Sequence, residues 1–241
     1  MAIAADAAAQ PQPQAPIQRG APDFLFGQPK GSLGVRGSWL FANTGSDIFD
    51  FVTTQLTLEK RDFNAPLFSV EAGFAAAPRM DVQVGFEVGR AASPSEYRNL
   101  VDQNRAPITQ DTTLTQVNVS GSVKVAVLPR GRAISRFAWI PRSVVPYVGG
   151  GGGFLWYDFK QDGDFVDFVD GRIFGATFES KGWTPSAHVF GGVDVRILRR
   201  VFLELEARHL WAEATLNRQF AGFDAIKLSG LRVTGGVNLV F

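Results

Sequence analysis

Counting back by twos from Phe241, the residues Leu239, Val237, Gly235, Val233 and Leu231 fall on one side of the chain, and Val240, Asn238, Gly236, Thr234, Arg232 and Gly230 on the other. A repeat of two marks a β-strand, because successive side chains leave opposite faces of the pleat. The same alternation recurs along the chain. Near Gly31–Phe41, Leu33, Val35, Trp39 and Phe41 oppose Ser32, Gly34, Arg36 and Ser38. Near Leu67–Ala75, Phe68, Val70, Ala72 and Phe74 oppose Ser69, Glu71 and Gly73. In Asp81–Arg90, valines and Phe86 oppose Asp81, Gln83, Gly85 and Glu87. In Thr113–Leu128, valines oppose Gln116, Asn118, Ser120, Ser122 and Lys124. Val144–Phe159 is a fifth strand whose faces are blurred by Gly149–Gly153. Ser186–Ile197 sets valines against His188, Phe190, Asp194 and Arg196. Val201–Trp211 sets Leu203, Leu205, Ala207, His209 and Trp211 against Glu204, Glu206 and Arg208. Leu228–Phe241 completes the set.

The connections run long, short, long, medium, long, short, long: Ala42–Pro66, Ala76–Arg79, Ala91–Thr112, Pro129–Ser143, Lys160–Gly182, Arg199–Arg200 and Ala212–Lys227. Asp47–Val52 fits one amphipathic helical turn behind Ser46, and Asp170-Gly171 fits a hairpin turn. The pattern predicts an all-β fold, an eight-stranded antiparallel up-and-down barrel. All long loops lie at one end; both termini and the mostly short turns lie at the other. No run approaches the roughly 18 to 20 apolar residues of a membrane helix. A chain like this crosses a membrane only as a closed barrel, in which every backbone group finds a partner.

Composition adds limits. The 241 residues contain no cysteine and carry a net charge of +1, so neither a disulfide framework nor nucleic acid is expected. Residues 1–23 are Ala-rich and then Pro/Gln-rich. Ala7-Ala8-Ala9 matches the small-residue end of a secretory signal, and the following stretch reads as a flexible tether. The barrel domain is expected over residues 24–241.

The two faces differ in chemistry. One is Val, Leu, Phe, Ala and Gly; the other carries both signs of charge on nearly every strand. Polar-out around an apolar ligand cavity describes a soluble barrel. Here the polar face holds Arg36, Glu71, Glu87, Lys124, Glu204, Glu206, Arg208 and Arg232 near mid-strand, which suits a narrow interior filled by paired charges. Glu206 and Arg232 are expected to compensate one another. Leu40, Leu67, Leu114, Phe190 and Leu210 are expected to line part of an inward rim. Trp39, Phe41, Trp139, Trp211 and Phe241 suit a membrane-interface girdle.

Several of these residues also carry a family likeness. The terminal Phe241, the run Pro146-Tyr147-Val148-Gly149, the run Glu204-Leu205-Glu206-Ala207-Arg208 and the eight-strand meander resemble the small bacterial outer-membrane barrels grouped with the OmpA-type N-terminal barrel and OmpW. The resemblance spans roughly Phe24–Phe241. It implies an outer-membrane protein with periplasmic termini, in contact with outer-membrane lipid and lipopolysaccharide. It also implies assembly by the barrel-insertion machinery, with Phe241 as the signal read. Its functional range runs from structural or surface-interaction proteins to a narrow OmpW-like channel for small or hydrophobic solutes, and remotely to lipid-modifying enzymes.

Candidate chemistry is sparse. His188 faces inward near Ser186 and Asp194, whereas a membrane-embedded hydrolase needs its triad toward lipid. His209 is a girdle position beside Trp211. Gly149–Gly153 lacks the Lys-Ser/Thr of a phosphate loop and suits close packing. Asp158, Asp162, Asp164, Asp167 and Asp170 lack the spacing of a calcium loop. Arg130, Arg132, Arg136 and Arg142, with Phe137 and Trp139, suit contact with inner-leaflet phosphates. No catalytic residue, cofactor or metal is expected.

Overall fold

The computed structural model describes residues 24–241; the signal and tether expected in residues 1–23 lie outside the described residues. The chain forms β1 (Gly31–Ala42), α1 (Asp47–Gln55), β2 (Ala65–Ala77), β3 (Met80–Val101), β4 (Pro107–Ala126), β5 (Gly131–Ser135), β6 (Ala138–Pro141), β7 (Val144–Val166), β8 (Ile173–Arg196), β9 (Val201–Ala214), β10 (Ile226–Lys227) and β11 (Gly230–Val240). Every pairing is antiparallel. The order β1-β2-β3-β4-β7-β8-β9-β11 closes when β11 pairs with β1, from Ser32↔Val240 to Ala42↔Gly230. A closed ring of eight strands has no free edge.

The burial pattern assigns the faces. Leu33, Val35, Phe68, Val84, Phe86, Val123, Val148, Val189, Leu205, Val233 and Val237 are exposed on the outside, while the alternate residues, charged ones included, are buried. An outer surface this apolar around a charged interior inverts the arrangement of a water-soluble domain. It matches a barrel whose solvent is hydrocarbon. Trp156 pairs in register with Trp183 at the upper limit of this band; one rung higher, Asp158 faces Lys181. The apolar band therefore stops at a tryptophan rung and water begins above it.

Four strands reach further than their alternation shows. β3, β4, β7 and β8 have 22, 20, 23 and 24 residues and continue through stretches expected to be loops. Above the apolar band the outer face turns polar, as at Thr109, Asp111 and Lys160, and the buried inner face mixes Gln110, Thr112 and Gln161 with Ile108 and Phe159, so the apolar–polar repeat disappears while backbone pairing goes on. The expected turn near Asp170-Gly171 is present: Asp167 N donates to Arg172 O at 2.9 Å, Gly171 N donates to Asp167 O at 2.8 Å, and Gly171 has φ +72°. The helical turn after Ser46 extends to nine residues as α1. Ser46 makes no side-chain cap to it; its hydroxyl instead accepts from Lys227 N at 3.4 Å.

The medium connection also departs from a simple turn. β5 and β6 form a hairpin, and Trp139 in β6 pairs with Leu25, N to O at 2.8 and 3.0 Å. The segment before β1 and this hairpin thus lie together across the barrel end opposite the long loops.

Candidate functional site

The lumen is the feature to which all eight ring strands contribute, and it is filled in three tiers. The tier under the long loops is apolar. Ile48, Phe49 and Val52 of α1 pack with Leu56, Leu58, Phe63, Ile108, Leu155, Phe159, Phe220, Ile226 and Leu228. Phe49 meets Phe63 edge-on at 4.6 Å and Phe159 at 6.3 Å, and Phe159 meets Phe220 at 5.5 Å. Leu40, Leu67, Leu114, Phe190 and Leu210 also point inward and are buried. This is a small hydrophobic core of the kind found in soluble proteins, set in the mouth of the barrel.

The middle tier is ionic. Arg36 meets Glu71 in a short ion pair, Glu204 Oε2 at 3.0 Å and Glu206 Oε1 at 3.8 Å. Lys124 Nζ lies 2.9 Å from Asp194 Oδ2 and 3.0 Å from Glu204 Oε1, with its ammonium 3.7 Å from the centre of the Tyr147 ring. The Tyr147 hydroxyl donates to Glu204 at 2.6 Å and lies 3.1 Å from Glu206. Arg208 Nε bonds Glu206 at 2.9 Å, its Nη2 lies 3.5 Å from Glu71, and its guanidinium stacks over Phe190. Arg232 and Glu87 form a separate pair at 2.8 Å, flanked by Gln116.

All eight residues expected in the interior network are therefore inside, but they divide into two groups. Glu206 belongs with Arg208 and Arg36, and Arg232 belongs with Glu87. The expected Glu206–Arg232 compensation is corrected on this point: in register, Arg232 stands beside Arg208, and Glu206 stands one rung away beside Thr234.

Glycines make the room. Gly236 is in register with Arg36 on one side and Glu204 on the other; a Cβ there would lie 2.6 Å from Arg36 Cγ and 2.8 Å from Val35 O. On β7, a Cβ at Gly149 would strike the Phe190 ring, and one at Gly151 or Gly153 would strike the β4 backbone. The glycine run thus lets the Phe190 side chain of β8 lie across β7 at Gly149 and lets the β4 backbone come close at Gly151 and Gly153.

The third tier is a chamber at the far end, lined by Gln83, Asn238, Lys124, Asp194, Asp81 and Arg130 and floored by Gln28–Lys30 and Trp139. Arg130 turns inward, bonding Asp81 at 2.8 Å and Ala77 O at 3.2 Å. Trp139 is only 8% exposed, against 47% for Trp39, because it is folded over Gly131 beneath the lumen. Trp139 is thus not a girdle residue, and Arg130 is not free to meet lipid phosphates. The other proposed girdle residues, Trp39, Phe41, Trp211 and Phe241, are exposed on the outer face. His209 packs edge-on to Trp211 at 4.6 Å. The Phe241 backbone closes the seam, its N donating to Gly31 O and its O accepting from Lys30 N and Gly31 N.

Sequence reasoning left Tyr147, Asp194 and Gln116 out of the network, and Trp156 and Trp183 out of the girdle. Tyr147 lies in the strand whose faces the glycine run concealed, and so does Trp156.

No hydrolytic arrangement is present around His188. Its Nε2 pairs with Ser122 Oγ at 2.8 Å, its ring stacks on Phe190, and Asp194 is engaged by Lys124. Ser186 donates to Asn118 instead. Among the described residues, no group of three or more His, Cys, Asp or Glu is placed to hold a metal ion. The loop aspartates are used locally: Asp167 and Asp170 accept from the turn amides of Val169 and Arg172, and Asp162 accepts from Thr177. Partial burial, and then the neighbouring Glu179 carboxylate, raise the Asp158 carboxyl above its ordinary pKa.

No protein-family model matches the sequence, and no curated protein matches it. Solved structures similar to it include small outer-membrane barrels. Neisserial surface protein A is 11% identical over 88% of this chain and 97% of its own, with a TM-score of 0.48. OprG of Pseudomonas aeruginosa is 10% identical over 90% and 99%, at 0.47. Ail, the attachment invasion locus protein of Yersinia pestis, is 11% identical over 89% and 100%, at 0.42. At those values the likeness stands beside the chain's own strand register, which by itself closes the ring.

Proposed function

We propose that this chain is a non-enzymatic integral protein of the bacterial outer membrane, with a lumen closed to solutes and a structural or surface-interaction role carried by its long-loop end. The observation that carries the reading is the three-tier filling of the lumen. An apolar cap, a cross-linked ionic layer and a floored chamber follow one another along the axis, and an eight-stranded barrel has little width to spare. The apolar outer band and the tryptophan rung support membrane insertion. The end with short turns, which also holds Phe24 and Phe241, faces the periplasm in this reading. The long-loop end then faces outward, among lipopolysaccharide. A seam closed by the terminal aromatic suits assembly by the barrel-insertion machinery.

Reconstitution into planar bilayers tests the closed lumen. We expect only small, rare openings. Steady porin-like current would overturn the closed reading. Selective uptake of small hydrophobic solutes by vesicles would favour the narrow-channel alternative. A folded protein that stays in solution without detergent would overturn the membrane assignment as a whole.

A further inference from the structure

The β7–β8 hairpin carries one short sequence twice. Asp164-Phe165-Val166 is followed at once by Asp167-Phe168-Val169, and Asp170 comes next. The two copies meet opposite fates. Phe165 is buried in the stem, edge-on to Phe178 at 4.6 Å, and Phe178 in turn lies 6.3 Å from Phe220 of the mouth core. Phe168 and Val169 stand in the turn and are 62 and 96% exposed. The stem is thus anchored to the barrel, while the tip holds two apolar side chains clear of it.

The tip is closed by its own bonds. Besides the backbone bonds of Asp167 to Gly171 and Arg172, Val169 N donates to Asp167 Oδ1 at 2.9 Å and Arg172 N donates to Asp170 Oδ1 at 2.9 Å. Folding Phe168 and Val169 back onto the stem would break this set. The pair is therefore presented in one place, which lowers the ordering cost of binding. Hydrocarbon does not reach it. The last pair of the hairpin, Val166↔Ile173, lies ten rungs beyond Trp156↔Trp183, about 20 Å higher for a strand tilted as in a membrane barrel. A partner in the aqueous layer is the cover that remains, and charge selects its kind. The turn sets Asp164, Asp167 and Asp170 against Arg172. Carboxylates around an apolar pair match apolar side chains flanked by lysine or arginine, and a cation also suits the face of an open phenyl ring.

We propose that this tip docks a basic amphipathic segment of a protein. The proposal deepens the surface-interaction reading given above and rests on it. Apolar side chains of the segment cover Phe168 and Val169, and its cations meet Asp164, Asp167 and Asp170.

The experiment uses the full chain in nanodiscs of phosphatidylcholine, a lipid without net charge. The probe is a fluorescein-labelled amphipathic helix of leucine and lysine, read by fluorescence anisotropy. We expect it to bind about tenfold more tightly than the same helix with glutamate in place of lysine, and to weaken as salt rises. Phe168→Ser/Val169→Ser should weaken binding about tenfold. Asp164→Asn/Asp167→Asn/Asp170→Asn keeps the oxygens that close the turn and should remove most of the preference for lysine. Val101→Ser, at the exposed tip of the β3–β4 hairpin, should leave binding unchanged. Undiminished binding by Phe168→Ser/Val169→Ser would overturn the proposal, as would an equal loss in Val101→Ser. Equal affinity for the two helices, an unchanged preference in the asparagine variant, or equal uptake by nanodiscs without protein would also overturn it. Self-association of the protein in place of peptide binding would do the same, because the occupant would then be a second copy. A heat-sensitive shift in gel mobility reports the folded, inserted barrel in every sample. Its loss from the unaltered protein would count against the membrane reading, whereas its presence with unselective peptide binding counts against the tip alone.

Discussion

Arg36 and Glu204 meet at 3.0 Å although their strands do not touch. β11 lies between them, and Gly236, in register with both, leaves the gap through which the guanidinium reaches. One missing side chain on the middle strand thus allows a bond between its two neighbours.

Filling that gap should be costly. Gly236→Ala places a Cβ within 3 Å of both the Arg36 side chain and the Val35 carbonyl. We expect a loss of about 1–3 kcal/mol, as for overpacking of a tight interior. Gly37→Ala on the outer face, where an added Cβ meets nothing within 4 Å, should change stability by about 0.5 kcal/mol or less. Urea unfolding in lipid vesicles measures both; equal effects would mean that the interior relaxes around Gly236.

Glu204 is fully buried and takes Arg36, Lys124 and Tyr147 together. Glu204→Ala leaves two buried cations without their shared partner, and about 3–5 kcal/mol should be lost. Glu179, half-exposed beside Lys181 at 3.0 Å, is the comparison. Its pair contributes roughly 0–1 kcal/mol, so Glu179→Ala should be nearly silent. If the same unfolding assay found the two changes equally harmless, the lumen would be hydrated rather than filled.

The division of the network into two groups predicts where coupling lies. Glu87→Gln with Arg232→Met should cost about 1 kcal/mol or more less than the sum of the single changes, because each removes the other's stranded partner. Glu206→Ala with Arg232→Met should come closer to additivity. A double-mutant cycle on each pair decides the point. Stronger coupling for Glu206 with Arg232 would show the two groups to be one.

The alternation in the sequence carries the ring, because it records the two solvents on either side of each strand. It carries the inward set for the same reason: Arg36, Glu71, Lys124 and Glu204 follow from parity alone. It does not carry their partners. Strands of a barrel are staggered, so equal distance from a strand end is not equal height, and Arg232 finds Glu87 of β3 rather than Glu206 of its neighbour. Where the outer face is polar and the inner face is mixed, the signal stops, as in the upper halves of β3 and β8. Where side chains are absent it also stops, and the glycine run of β7 took Tyr147 and Trp156 out of view. Trp139 was misplaced for a third reason. A tryptophan in a connection at a membrane edge has the composition of a girdle residue, and only its pairing with Leu25 turns it beneath the lumen.

The apolar core in the barrel mouth has a consequence for how the molecule comes together. Its members run from Ile48 to Leu228 and arrive on the β1–β2 and β9–β11 connections and on the upper ends of β3, β4, β7 and β9. Each of those connections must cross the bilayer before it can join, and Leu228 takes its place only when β11 lies against β1. The core is therefore a latch that engages last. Because it engages only on the far side, it opposes withdrawal of any one hairpin, and a chain that has completed its journey is held there by a clasp it did not possess while crossing.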